Sequence, residues 1–172
     1  SMWSVVALVA IIALFFTVFF GAPYVPAKLR DVQRAFDELR PVTKHDVVLD
    51  LGSGDGKVLR EVSRRGAKGI GYELHPLLVV VTKLLSLHDE NVTVRWGNLW
   101  RLPFPDDVTV VYLFGDGRDI ARMTAKIEAE SLRLGRSLDV ISYGFSLPGH
   151  ECIDQAGAHN FYRVAPLQNK KA

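Results

Sequence analysis

The sequence predicts an α/β fold, a parallel sheet with helices on both faces, from two observations. Short β-branched runs alternate with segments of helical spacing, and the first run closes in an acid followed by three alternating glycines. Such alternation implies right-handed βα units and therefore a parallel sheet. The run is Val47-Val48-Leu49-Asp50-Leu51, and the turn is Gly52-Ser53-Gly54-Asp55-Gly56. Lys57 to Arg65 follow with Val58, Leu59 and Val62 on one side and Arg60, Glu61 and Arg64 on the other. Strand, glycine turn and helix open a nucleotide-binding unit. The turn needs glycine because it is tight and a ligand lies against bare backbone, and the helix start is expected to offer free N–H groups to that ligand. An ordinary βα turn would also use glycine. The second strand, Gly69-Ile70-Gly71-Tyr72, ends in Glu73, where a carboxylate can accept both hydroxyls of a ribose.

The remaining elements follow in order. A helix begins at Pro76, a favoured first-turn residue, and runs to about His88. Its broad apolar set (Leu77, Leu78, Val79, Val80, Val81, Leu84, Leu85) predicts burial. Val92–Trp96 is the third strand and Val108–Phe114 the fourth. Asp119 to Leu134 is helical, Ser137–Phe145 is the fifth strand, and His150 to Leu167 fits an antiparallel pair around Gln155-Ala156-Gly157. One domain is expected from 172 residues.

The N-terminal segment is different in kind. Val5 to Ala22 is an 18-residue run without a charge in which Thr17 is the one polar residue. As a helix it would span about 27 Å, close to the hydrocarbon thickness of a bilayer. Trp3 and Tyr24 stand at its ends, where an aromatic belt lies. No basic residue precedes the run, against a signal peptide, and no polar stripe runs along it, against a core helix. Residues 1–22 are therefore expected to be a single transmembrane anchor. Lys28, Arg30, Arg34 and Arg40 follow it, which puts the folded domain on the cytoplasmic side. Residues 23–41 are a stiff exit, Pro23-Tyr24-Val25-Pro26, and an amphipathic helix carrying Leu29, Val32, Phe36 and Leu39; it packs on the sheet edge or lies on lipid headgroups. Residues 42–172 form the ligand-binding domain.

The net charge of +2 gives no ground for a nucleic-acid partner. The single cysteine, Cys152, excludes an internal disulfide and any cysteine-cluster metal site, and the histidines have no metal-ligand spacing. Asp50 and Asp55 beside the glycines would repel a phosphate and attract a cation. S-adenosylmethionine, a sulfonium with an amino group and no phosphate, suits that environment. Asn98 and Leu99 follow the third strand on the ligand side, where Asn98 can bond an adenine amino group and Leu99 or Trp100 can pack on its ring. The competing reading is a polar turn beside a core tryptophan. Phe114-Gly115-Asp116-Gly117 ends the fourth strand facing the same crevice. Phe114 can wall an acceptor channel there, and Asp116 either orients the attacking amine or caps the next helix.

The pattern Asp50-x-Gly52-x-Gly54-x-Gly56 resembles motif I of class I (seven-β-strand) methyltransferases, whose sheet is Rossmann-like. Together with the anchor, Pro23-Tyr24-Val25-Pro26, Gly71-Tyr72-Glu73-Leu74-His75-Pro76 and Asn98-Leu99-Trp100, it is similar to membrane-anchored protein-lysine methyltransferases related to those of the adenine nucleotide translocase and the ATP synthase c-ring protein, as a prokaryotic member. The resemblance covers most of the chain to about residue 120. It implies S-adenosylmethionine as donor, lysine side chains of a protein near the membrane as acceptors, and cofactor binding by Asp50, Gly52, Ser53, Gly54, Gly56, Tyr72, Glu73, Asn98 and Leu99. It also implies that Tyr24 closes over the methionine end, so Tyr24, Phe114 and Asp116 are the acceptor-side set. The chain departs from that family at Asn98, where Asp is common, and at Gly115-Asp116-Gly117, which replaces a proline-containing segment. Two alternatives remain: methylation of a membrane-soluble quinone or lipid, and a membrane-anchored nucleotide-binding module without catalysis.

Overall fold

The computed structural model describes residues 2–20, 27–114 and 117–166, with side chains from 13 to 20 not included. Tyr24, Gly115 and Asp116 lie outside the described residues, as do the Pro23-Tyr24-Val25-Pro26 exit and the end of the expected anchor.

Seven strands form one sheet: β1 (Val47–Leu51), β2 (Lys68–Glu73), β3 (Val92–Trp96), β4 (Val110–Phe114), β5 (Leu138–Tyr143), β6 (Asp154–Ala156) and β7 (His159–Val164). Their order is β3-β2-β1-β4-β5-β7-β6, parallel from β3 to β5, with β7 antiparallel to β5 and to β6. The helices are α1 (Met2–Phe20), α2 (Leu29–Arg34), α3 (Lys57–Arg64), α4 (Pro76–Leu85) and α5 (Ile120–Leu134). The connections β1-α3-β2 and β2-α4-β3 step one way along the sheet and β4-α5-β5 steps the other. With right-handed crossovers, α3 and α4 cover one face and α5 the opposite one. The chain reverses direction between β1 and β4, which leaves a crevice at their carboxyl ends.

Two apolar layers sandwich the sheet. One contains Val32, Phe36 and Leu39 with Val48, Val62, Tyr112, Ile141 and Phe161. The other contains Leu49, Leu51, Tyr72, Val111, Leu113, Ile127 and Tyr162. β1 is buried throughout because both of its faces are covered.

The segment after the exit packs on the protein. α2 continues as a wider π-helical turn, Ala35–Leu39, and Val32, Ala35, Phe36 and Leu39 join the layer shared with α3. Its outcome was open in sequence, because a stripe of four apolar residues fits a sheet or a membrane equally well. A charge cluster fixes its end. The Arg40 guanidinium donates to Asp46 and to Asp139, which ties this segment to the amino ends of β1 and β5. Burial alone would raise the Asp46 pKa, but hydrogen bonds from Arg40, Thr43 and Thr109 outweigh it and hold the carboxyl below its usual range.

Two expectations change. α4 is not largely buried: Val79 and Thr82 are, while Leu77, Val80, Leu84 and Leu85 are exposed, because α4 covers only the outer strands β2 and β3. The expected membrane span is not found: among the described residues no helix is long and apolar enough to cross a membrane. The N-terminal run does form helix α1, and its described side chains, Met2 to Ile12, are exposed.

Replacing Arg40 by Met would leave two nearly buried carboxylates, Asp46 and Asp139, without their shared cation. A loss of about 3 kcal/mol in unfolding free energy is expected. It would be read as a lower urea midpoint at unchanged slope.

Candidate active site

The glycine turn is held mainly by its own backbone and by one carboxylate. The N–H groups of Gly52 and Ser53 both donate to the Tyr72 carbonyl, at 2.8 and 3.2 Å. Gly54 N–H donates to Glu73 Oε2 at 2.8 Å, and His75 N–H donates to Glu73 Oε1 at 2.8 Å. Glu73 therefore clamps the turn to the end of β2, and its remaining lone pairs are what a ribose could use. Thr82 Oγ1 on α4 donates to the Gly54 carbonyl from behind. Gly52, Gly54 and Gly56 all have positive φ, the left-handed region where a side chain is costly. A Cβ on Gly52 would meet nothing within 4 Å, so its bare face borders open space. A Cβ on Gly71 would overlap the Ser53 side chain, so β2 must carry glycine there for the turn to sit down.

The helix start is less free than its sequence implies. Lys57 N–H donates to Asp55 Oδ1, and Gly54 N–H belongs to Glu73. The turn therefore presents carboxylates as much as amides. Asp50 is fully buried, and burial first, then the charges of Glu73 and Asp55, push its carboxyl up to about 8. A site that resists a second negative charge so strongly suits a cationic ligand.

Beside Gly52 lies a cavity of about 200 Å³ lined by Leu51, Gly52, Leu99, Trp100, Leu113, Phe114, Asp119, Ile120 and Met123. It opens at the carboxyl ends of β1 and β4, where the reversal of strand direction predicts a ligand. No lysine or arginine lines it.

Each sequence-predicted residue can now be placed. Asp50, Gly52, Ser53, Gly54, Gly56 and Glu73 converge on the turn. Ser53 is buried and its hydroxyl has no partner. Tyr72 is a strut in the core: it is buried and its hydroxyl donates to the Pro103 carbonyl, on the side of the sheet facing α5. Asn98 spends its Oδ1 on the Trp100 N–H at 3.0 Å, which folds the loop so that Leu99 and Trp100 reach the cavity. Phe114 lines the cavity from β4 and packs its ring on Tyr143 at 4.9 Å.

Sequence reasoning missed three contributions. Asp119, Ile120 and Met123 close the cavity from the start of α5; the spacing of Ile120 and Met123 with Ile127 marks an inward face, but not that its first turn ends in a pocket. Arg122 stacks over Trp100 at 4.1 Å and fixes the indole at the mouth. A buried group lies beyond Phe114: His159 Nε2 and the Tyr112 hydroxyl are 3.0 Å apart, and the His159 ring meets Tyr143 edge-on at 4.8 Å. Burial pushes the His159 imidazole down to about 4, so it is neutral. No spacing in the sequence brings these four residues together, because they sit on three strands.

Comparison with known proteins gives the site a context. The model of the ANTKMT methyltransferase domain matches residues 50–154. A lysine N-methyltransferase of the ATP synthase c-ring protein, from Xenopus laevis, is 30% identical over 129 residues, covering 73% of this chain and 54% of that protein. Its human counterpart is 27% identical over 111 residues, 63% of this chain and 46% of its own length. The chain thus spans about half the length of these relatives. Among solved structures, an RNA methyltransferase from Salinibacter ruber in complex with S-adenosyl-L-homocysteine is 25% identical, with a TM-score of 0.74 over 86% of this chain and 98% of that one.

The cofactor is S-adenosylmethionine, and the residues present fit it. Bare backbone at Gly52 borders an apolar cavity without a basic lining, the buried acids favour a positive charge, and Glu73 stands at the tip of β2. Two outcomes follow. A Gly71→Ala chain should lose at least about tenfold in cofactor affinity by calorimetry, because Ser53 and the turn must move to admit the new methyl. For Asp50, a carboxyl near 8 is mostly protonated at pH 7, and a bound cation favours its ionised form. Binding at pH 7 should therefore release close to one proton, and affinity should climb as pH rises to about 8 and then level. Calorimetry in phosphate and in Tris measures that proton; Asp50→Asn should abolish the buffer dependence.

Proposed function

Because the chain belongs to the ANTKMT methyltransferase domain family, we propose that it is a methyltransferase whose acceptors are lysine side chains of a protein at a membrane. The observation that carries the reaction type is the apolar cavity meeting bare backbone at Gly52 beside buried carboxylates. The lysine acceptor is supported by the relatives named lysine N-methyltransferases.

When bound, the cofactor supplies an electrophilic methyl group on a sulfonium. The chain's own task is alignment and exclusion of water. Glu73 and the glycine turn would hold the adenosyl part; Leu99 and Trp100 would pack on it. Leu51, Leu113, Phe114 and Met123 wall the space into which the acceptor reaches. A lysine enters as a neutral amine: its nitrogen forms the bond to carbon as the carbon–sulfur bond breaks, and the pair stays on sulfur. The apolar walls favour the neutral amine by penalising its ammonium form. The methylated nitrogen then loses its proton to solvent through the mouth beside Trp100. Tyr24 and Asp116, which the sequence places on the acceptor side, are assigned here to orienting that amine.

The membrane location rests on α1, whose described side chains are apolar and exposed, and on Lys28 and Arg30 directly after it. In this reading α1 enters the bilayer and the folded domain stays on the basic, cytoplasmic side.

With radiolabelled S-adenosylmethionine and a membrane extract, label should enter the protein fraction and map to lysine by mass spectrometry. Label confined to lipid or to RNA would overturn the lysine assignment.

A further inference from the structure

Helix α4 carries apolar residues on the side that faces away from the sheet. Val79 and Thr82 point inward and are buried. Leu77, Val80, Leu84 and Leu87 follow at helical spacing on the outside, between 38% and 69% exposed. Leu74, just before the helix, and Trp96, at the end of the edge strand β3, extend the stripe. The Trp96 indole N–H donates to the Leu74 carbonyl at 3.0 Å, so the ring is pinned in place although it is mostly exposed. A helix with one face on a core ordinarily turns charge outward. Here the outward charges are Lys83 on the helix and Arg95 on the neighbouring strand, both exposed. The acids Asp89 and Glu90 fall at the amino edge of the sheet, past the end of the helix, and Asp89 accepts from Ser63.

Where the chain enters the domain indicates what covers this stripe. α2 begins at the carboxyl edge of the sheet: the charge of Asp31, in its first turn, acts on Tyr112 and His159, and His159 pairs with Tyr143, the register partner of Phe114. α4 begins at the same edge, directly after β2. The chain between Phe20 and Ala27 can span at most about 25 Å, seven steps of about 3.6 Å. The apolar, exposed helix α1 is thus tethered within that distance of the edge from which α4 starts.

We propose that the outer face of α4, with Leu74 and Trp96, lies on a lipid bilayer, its apolar side chains in the headgroup boundary and Lys83 and Arg95 toward anionic headgroups. The proposal rests on the reading of α1 as the membrane-bound segment, because α1 brings the bilayer within reach. It has a consequence for the reaction. Thr82 on α4 holds the Gly54 carbonyl, and His75, which precedes the helix, holds Glu73. A face seated on lipid would set the mouth of the cofactor crevice at the interface, so the methylated lysine would lie at headgroup depth.

The test uses the full chain with Cys152→Ser and one new cysteine at a time: Leu8→Cys on α1, Leu84→Cys on α4, or Leu132→Cys, an exposed control on α5. Each cysteine carries a nitrobenzoxadiazole probe. Vesicles are phosphatidylcholine with phosphatidylglycerol, with and without nitroxide-labelled acyl chains. The probes at 8 and 84 should shift to the blue on adding vesicles and be quenched by the nitroxide; the probe at 132 should do neither. Quenching at 8 without quenching at 84 would overturn the docking face and leave the α1 reading standing. Quenching at 84 alone would uphold the face and remove the α1 reading. Equal quenching at 84 and 132 would mean unspecific adsorption and overturn the face. A blue shift at 84 that grows with protein concentration in the absence of vesicles would mean that a second copy covers the stripe, and would likewise overturn it.

Discussion

The Glu73 carboxylate is the joint of the site. One oxygen accepts the Gly54 N–H and the other the His75 N–H, so a single side chain joins the glycine turn after β1 to the loop after β2. Both bonds run from neutral amides to an anion in a nearly buried setting, where such bonds are stronger than neutral ones. Much of the nearby structure serves to bring these groups together. Gly71 lacks a side chain so that Ser53 can settle on β2, and Thr82 reaches from α4 to steady the Gly54 carbonyl. The positive φ values at Gly52, Gly54 and Gly56 follow from the same fit.

The electrostatics follow from that arrangement. Asp50, Asp55 and Glu73 gather around the turn, and burial adds to their mutual repulsion, so Asp50 holds its proton. The cavity next to them is walled with leucine, methionine and aromatic rings and has no cationic lining. A methyl donor that carries its own positive charge relieves the repulsion, and the acceptor finds a low-dielectric space in which a neutral amine is favoured. Binding and chemistry thus draw on one charge distribution.

The two ends of the helical layer differ. On one side, α2 and its π-helical turn seal the sheet with Val32, Phe36 and Leu39, anchored by Arg40 between two aspartates. On the other, α4 covers the last two strands with little more than Val79 and Thr82 and leaves its leucines outside. Segments of similar apolar spacing therefore meet opposite fates, according to how much sheet lies beneath them.

Local chemistry fixed the strands, the order of βα units and the glycine turn: β-branched runs, positive-φ glycines and a proline at a helix start act within a few residues, so β1, β3 and the start of α4 lie where the sequence puts them. The acid at the tip of β2 was legible for the same reason. Neighbours across the sheet were not, because periodicity shows that a face is apolar without saying what covers it. Only the tertiary structure turned Tyr72 into a core strut, brought Ile120 and Met123 to the cavity, and set Tyr112, Tyr143 and His159 side by side. Packing of α2 on the sheet and exposure of α4 were decided there too, since both depend on which strands stand at the centre and which at the edge.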